Sequence, residues 1–147
     1  MGIPLLNSPA ELTAAVLVQL GLATSPPSPP TKPNAWPVYA SNEPSEPDNC
    51  ITCYDSADQE DGRWMQGSLF THYGIQVRVR AVDHPTDYQK AFAIKQVLAT
   101  VNQQSIVLGT NSYIVHCFSK IRLAILGKNT PSSKRSISVV NALLTLS

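Results

Sequence analysis

Cys50-Ile-Thr-Cys53 is the first spacing in this 147-residue chain that invites a chemical reading. Two thiols separated by two residues can supply half of a zinc shell, which a structural site completes with a second cysteine pair or a spaced histidine pair. Cys117 and the scattered His72, His84 and His116 are all that remain for that task. Ile51, Thr52 and Tyr54 favour a strand, in which residues three apart point to opposite faces, so the two sulfurs are expected to diverge. A zinc deaminase needs a His-x-Glu ahead of its cysteine pair, and this chain has none. A dithiol redox site needs the pair at a helix N-terminus, where the dipole lowers the thiol pKa, and no helical pattern follows Cys53. The expectation is ordinary packed thiols, with no metal, no cofactor and, from an odd count of three cysteines, no disulfide framework.

Asp55, Asp58, Glu60 and Asp61 are dense enough in oxygen to resemble a calcium loop. An EF-hand, however, alternates acids or amides, and Ala57 stands two residues after Asp55. A solvated acidic loop is expected instead. No glycine-rich phosphate loop is present, and no Ser, His and acid grouping has recognisable context, so the chain is expected not to be an enzyme.

Arg78 and Arg80 alternate with apolar residues and share one face of a strand pattern. Either they are solvated, or their rigid donor forks meet carboxylates or phosphates. A nucleic-acid surface is a weak reading, because the basic positions are dispersed and lack the aromatic interleaving of single-strand binders. Charge order favours protein contact. Seven of the ten acidic residues fall between Glu43 and Asp61, whereas ten of the eleven Lys and Arg lie from Arg63 onward. In a head-to-tail ring, an acidic loop on one copy can meet a basic face on the next. Charged residues make up 14% of the chain, below the roughly 25% usual for soluble proteins, which also points to burial against partners.

These residues must be positioned by a fold, and 147 residues with 43% apolar content suffice for one compact domain over 1–147. Ser8, Pro9 and Glu11 form a helix start, and the helix runs toward Gly21, so that residues 1–24 form an N-terminal helical unit. Its row Leu12, Val16 and Leu20 follows four-residue spacing, while Ala14, Leu17 and Val18 cover much of the remaining circumference. Such a helix is expected to make contacts on more than one side. Residues 25–37, SPPSPPTKPNAWP, are too rich in proline for a helix or central strand and read as a stiff extended strap. A ligand for a polyproline-binding domain is the sharper alternative, from the Pro30-x-x-Pro33 spacing.

The α+β core is expected over 38–147. Trp36 to Ala40 and Ile51 to Tyr54 are β-formers, with a loop through Asp61, Gly62 and Gly67. Ile75, Val77, Val79 and Ala81 alternate with Gln76, Arg78, Arg80 and Val82, the clearest strand in the chain. A helix from Pro85 to about Val101 carries the stripe Ala91, Ile94, Val97, Leu98 and Val101, which should lie on the sheet. Tyr88, Phe92 and Ala99 form a second stripe where a monomer normally places polar residues. Strands follow at Ser105–Leu108, Ser112–Phe118, Ile121–Leu126 and Arg135–Leu146, with turns at Gly109–Asn111 and Gly127–Lys134. The expected architecture is a mostly antiparallel β-sheet packed by an N-terminal and a central helix.

Trp36-Pro37-Val38-Tyr39, the block Tyr73-Gly74-Ile75-Gln76-Val77-Arg78-Val79-Arg80, the helix near Tyr88, and Arg135-x-Ser-Ile-Ser-Val-Val-Asn141 together resemble the tail terminator or tail-completion proteins of long-tailed bacteriophages. The resemblance implies a non-enzymatic virion subunit, assembled in the host cytoplasm, that forms a ring, a hexamer, at the tail–neck junction. There it stops tube polymerisation and docks the head connector. The implied partners are further copies of itself, the tail tube protein, the sheath where the tail contracts, and head connector proteins. Viral DNA passes through the lumen without specific binding. The long proline strap and the Cys50/Cys53 segment depart from the family pattern. A neck or head-closure subunit is the structural alternative, and a small nucleic-acid-binding module the alternative from another class. No secretory leader is recognisable, and no apolar run approaches the roughly 20 residues that span a bilayer, so no membrane partner is expected. The candidate subunit or partner interface comprises Arg78, Arg80, Tyr88, Phe92, Ala99, Leu12, Val16 and Arg135.

Overall fold

The computed structural model describes residues 7–24, 36–43, 49–63, 69–128 and 135–146, the side chains of 57–63, 69–71 and 128 excepted. Ser8 starts the first helix, α1 (Pro9–Gln19), by accepting from the Glu11 amide at 3.3 Å, and Pro9 fills a first-turn position whose amide has no helical partner anyway. The Glu11 carboxylate accepts from the Asn7 side-chain amide at 2.8 Å. Gly21, at φ +81°, ends the helix in the left-handed region that glycine occupies without strain.

Six strands follow: β1 (Val38–Ala40), β2 (Cys50–Arg63), β3 (Leu69–Ala81), β4 (Gln104–Leu108), β5 (Asn111–Lys128) and β6 (Ser136–Leu146), with helix α2 (His84–Leu98) between β3 and β4. They form one sheet in the order β1-β2-β3-β6-β5-β4. β1 runs parallel to β2 and every other pairing is antiparallel. The fold is therefore α+β with a mostly antiparallel sheet and two helices, as the sequence pattern predicts. β1 and β4 are opposite edges, yet both touch α1, so the sheet curls around that helix. α2 lies on β3, β5 and β6.

Alternation along β3 explains the core. Ile75, Val77 and Val79 point inward with Val140 and Leu144 of β6, and meet Leu12, Val16 and Leu17 of α1 and Ala91, Ile94 and Leu98 of α2. Val101 is also buried, whereas Val97, at the margin of the expected stripe, is half-buried. The helix begins one residue before Pro85, because Asp83 accepts from the Thr86 amide at 2.9 Å and caps it. No described helix is long and apolar enough to cross a membrane.

Several connections differ from expectation. Asp61 and Gly62 belong to β2, which continues to Arg63 because β3 pairs with it through Glu60–Thr71 and Arg63–Leu69. The two strands expected on either side of Ser119–Lys120 are one strand, β5, whose register shifts between Ser119 and Arg122 while Lys120 adopts φ +51°. Residues 25–35 of the proline-rich strap lie outside the described residues. Its last residue, Pro37, bridges Thr24, and the Thr24 amide donates to the Trp36 carbonyl at 2.9 Å.

Asp55 is a further correction. It sits within β2, opposite Ile75 on the core face, and its Oδ1 accepts from the Ala10 amide at 2.9 Å. The acid expected in a solvated loop remains exposed but lies in a strand, and it ties the first turn of α1 to the sheet, where helix N-termini favour negative charge. Asp55→Ala should lower the unfolding free energy by about 1 kcal/mol, the usual effect of losing a helix cap. Urea titration measures it, and an unchanged midpoint would show that the bond carries no stability.

Candidate assembly surface

α2 owes its outer face to the way its first turn is pinned. The Thr86 side chain and amide both hydrogen-bond to Asp83 and hold its carboxyl below the usual carboxylate range. One turn on, Asp87 is fully buried, and its Oδ1 lies 3.1 Å from His84 Nδ1. Its Oδ2 has no hydrogen-bond partner among the described residues. The His84 ring, fixed in this way, begins a ladder at four-residue spacing. Its centroid is 6.1 Å from that of Tyr88 at 55°, and Tyr88 stacks on Phe92 at 6.1 Å and 17°. Tyr88 and Phe92 are each 39% exposed, so the stack presents apolar area that the core does not use.

Below Phe92 the surface dips into a groove of about 460 Å³ between α2 and the irregular part of β5. Phe92, Ala99, Phe118 and Ile121 supply apolar walls, and Lys95 and Lys120 flank them. Tyr88, Phe92 and Ala99, predicted to align, are thus brought to one side of α2. The lysines were not part of that expectation. Lys95 lies four residues from Ala99, a helical spacing visible in sequence, but Lys120 reaches the groove through a strand irregularity that no pattern announces. A larger groove, of about 680 Å³, opens over α1 between the edge strands β1 and β4.

Arg78 and Arg80 occupy the opposite face of the sheet, since Ile75, Val77 and Val79 between them point to the helices. Both approach one carboxylate, Glu43, with Arg78 Nε at 3.6 Å and Arg80 Nη1 at 3.9 Å from its Oε1. Arg80 is 3% exposed, so it is a buried, charge-paired group rather than part of an open contact face. Arg78 keeps more exposure. Arg135 is half-buried and near enough to Cys50 to act on its thiol. The eight residues therefore do not form one surface. Leu12 and Val16 are fully buried in the core, because the sheet curls over the side of α1 that they occupy, and as placed they offer nothing to a neighbour.

Cys50 pairs in register with Arg80, and Cys53 with Val77, which puts the two thiols on opposite faces of β2. Burial pushes the Cys53 thiol up to about 12, with the Asp55 charge adding to it. Burial also raises Cys50, against the opposing influence of Arg80. Neither thiol is activated, and no group of three or more His, Cys, Asp or Glu able to hold a metal occurs among the described residues.

A family model described as bacteriophage tail terminator protein matches residues 12–134. Among solved structures, a chain from the virion of a native gene transfer agent particle is similar at 12% identity and a TM-score of 0.42, over 75% of this chain and 78% of that one. No curated protein matches.

Proposed function

We propose, since the chain belongs to the bacteriophage tail terminator family and is accordingly a structural tail component of the virion, that it forms a ring capping the head-proximal end of the tail. The ring, a hexamer in this reading, stops tube polymerisation and docks the tail to the head connector. Its contacts are with further copies of itself, the tail tube, the sheath of a contractile tail, and the connector proteins, and DNA passes through its lumen without specific binding. The observation that carries the ring is the stacked Tyr88–Phe92 pair, exposed on a helix whose other side is already buried. A lone subunit gains nothing by leaving this area in water, whereas repeated copies can cover it. Arg78 and Arg135 stay within the proposal as secondary contacts. Arg80 could take part only with its Glu43 partner displaced.

Tube assembly tests this reading. Tail tube protein polymerised with this protein should give shorter tubes, with added density at one end by electron microscopy, and native mass spectrometry should show a closed oligomer alone or on the tube. Unchanged tube lengths together with a strict monomer under both conditions would overturn it.

A further inference from the structure

We infer that residues 1–6, MGIPLL, fill the groove over α1 as a further strand laid along the open edge of β4. The occupant is this chain's own N-terminal segment, and the inference does not depend on the ring.

The curl of the sheet makes the groove. β1 and β4 end the sheet on either side of α1, and about 680 Å³ lies between them over Ala14, Ala15 and Val18. These three are half-buried, whereas Leu12, Val16 and Leu17 on the other side of the helix are fully buried. Glu11 is the one charged residue lining the groove, and its carboxylate is held by the Asn7 side chain. An uncharged, apolar segment is what such walls accept. The two edges differ. The outer side of β1 has a partner at its start, since the Val38 amide donates to the Thr24 carbonyl at 3.1 Å. β4 pairs with β5 alone, so alternate N–H and C=O groups along it lie on an open edge.

Asn7 fixes where residues 1–6 start. Its Oδ1 accepts from Tyr113 Oη at 3.0 Å and from Asn111 Nδ2 at 3.3 Å, and Asn111 is the register partner of Leu108. The chain before Asn7 therefore departs from the Leu108 end of β4. Residues 1–6 themselves lie outside the described residues. Extended, six residues reach about 20 Å, against roughly 17 Å for the five residues of β4. They can run the whole edge back to Gln104, parallel to β4.

Their order suits that path. Met1, Ile3 and Leu5 alternate with Gly2, Pro4 and Leu6, and none is charged. In a strand, alternate residues share a face and turn their amides to the same side. With Ile3 and Leu5 laid on Ala14, Ala15 and Val18 and their amides toward β4, the missing donor of Pro4 falls on the outer side, where a strand tolerates proline. Covered in this way, β4 offers no edge to a second copy.

Two variants test the seating, each first shown to be folded by circular dichroism. In Ile3→Asp with Leu5→Asp, charge in the apolar groove should expel the segment. Open-edge amides of β4 should then exchange at least ~10-fold faster than in the unaltered protein, as strand amides opened to water do, while β3 amides stay unchanged. In Ile3→Cys with Ala15→Cys, mild oxidation should join residues 3 and 15 within one chain, read as a monomer by electrophoresis and mapped by peptide mass spectrometry. A 3–15 link between chains would overturn the inference, because the groove then receives the segment of a second copy. So would the absence of any 3–15 link, or unchanged β4 exchange in the aspartate variant. Neither measurement touches Tyr88 or Phe92, so failure here leaves the ring reading standing.

Discussion

Leu12→Ala should lower the unfolding free energy by about 3 kcal/mol, within the 2–5 kcal/mol range for emptying a packed leucine site, and leave the assembly of molecules that remain folded unchanged. Leu12 is fully buried where α1 meets the curled sheet, in contact with the same apolar cluster as Val16, Leu17 and the β3 valines. Truncation removes transfer free energy and leaves a void that a helix held between several strands cannot easily collapse. Urea unfolding gives the first quantity, and native mass spectrometry well below the melting temperature gives the second. The informative contrary result is a variant of normal stability that no longer assembles. It would mean that the α1 face reaches a neighbour and that the burial seen in the single chain is rearranged in the ring.

Tyr88→Ser combined with Phe92→Ser should show the reverse pattern. The stack is packed on one side by its own helix and open on the other, so the double variant should stay within about 1 kcal/mol of native stability, as surface changes do. Truncating an aromatic hot spot costs about 2 kcal/mol or more, and one such loss in the pair weakens assembly by at least ~30-fold. Concentration-dependent sedimentation reads the association, and melting reads the fold. A destabilised monomer with normal association would return Tyr88 and Phe92 to the core and remove the main support for the proposed ring.

What could be read from the residues was whatever depended on period and local chemistry. β3 and the buried stripe of α2 follow from spacing, and Ser8 and Pro9 mark the start of α1 because capping is a local event. The outward alignment of Tyr88 and Phe92 follows from the same arithmetic. The role of Asp55 was not legible, since its partner, the Ala10 amide, is 45 residues away. The fate of Leu12 and Val16 depended on how far the sheet curls, which is set by six strands together rather than by the helix that carries them. Arg80 illustrates the same limit. Alternation placed it off the core face correctly, but only tertiary structure brings Glu43 across to cover it. β5 was read as two strands because Ser119–Lys120 interrupts the apolar pattern, and long pairing with β6 carries the strand through the interruption.

The position of β6 has a consequence for the order of synthesis. β6 lies between β3 and β5 and joins the β1-β2-β3 block to the β5-β4 block, yet the ribosome makes it after both. At ordinary elongation rates of roughly 5–20 residues per second, several seconds separate the end of β3 from the end of β6. During that interval α2 lacks one of the strands beneath it, and the row linking Gly74 to Ser119 through Leu143 does not exist. On a nascent chain the sheet that α2 packs against is therefore incomplete until β6 has been made. In the proposed ring, the sheet beneath the Tyr88–Phe92 surface is thus complete only once translation has passed the joining strand.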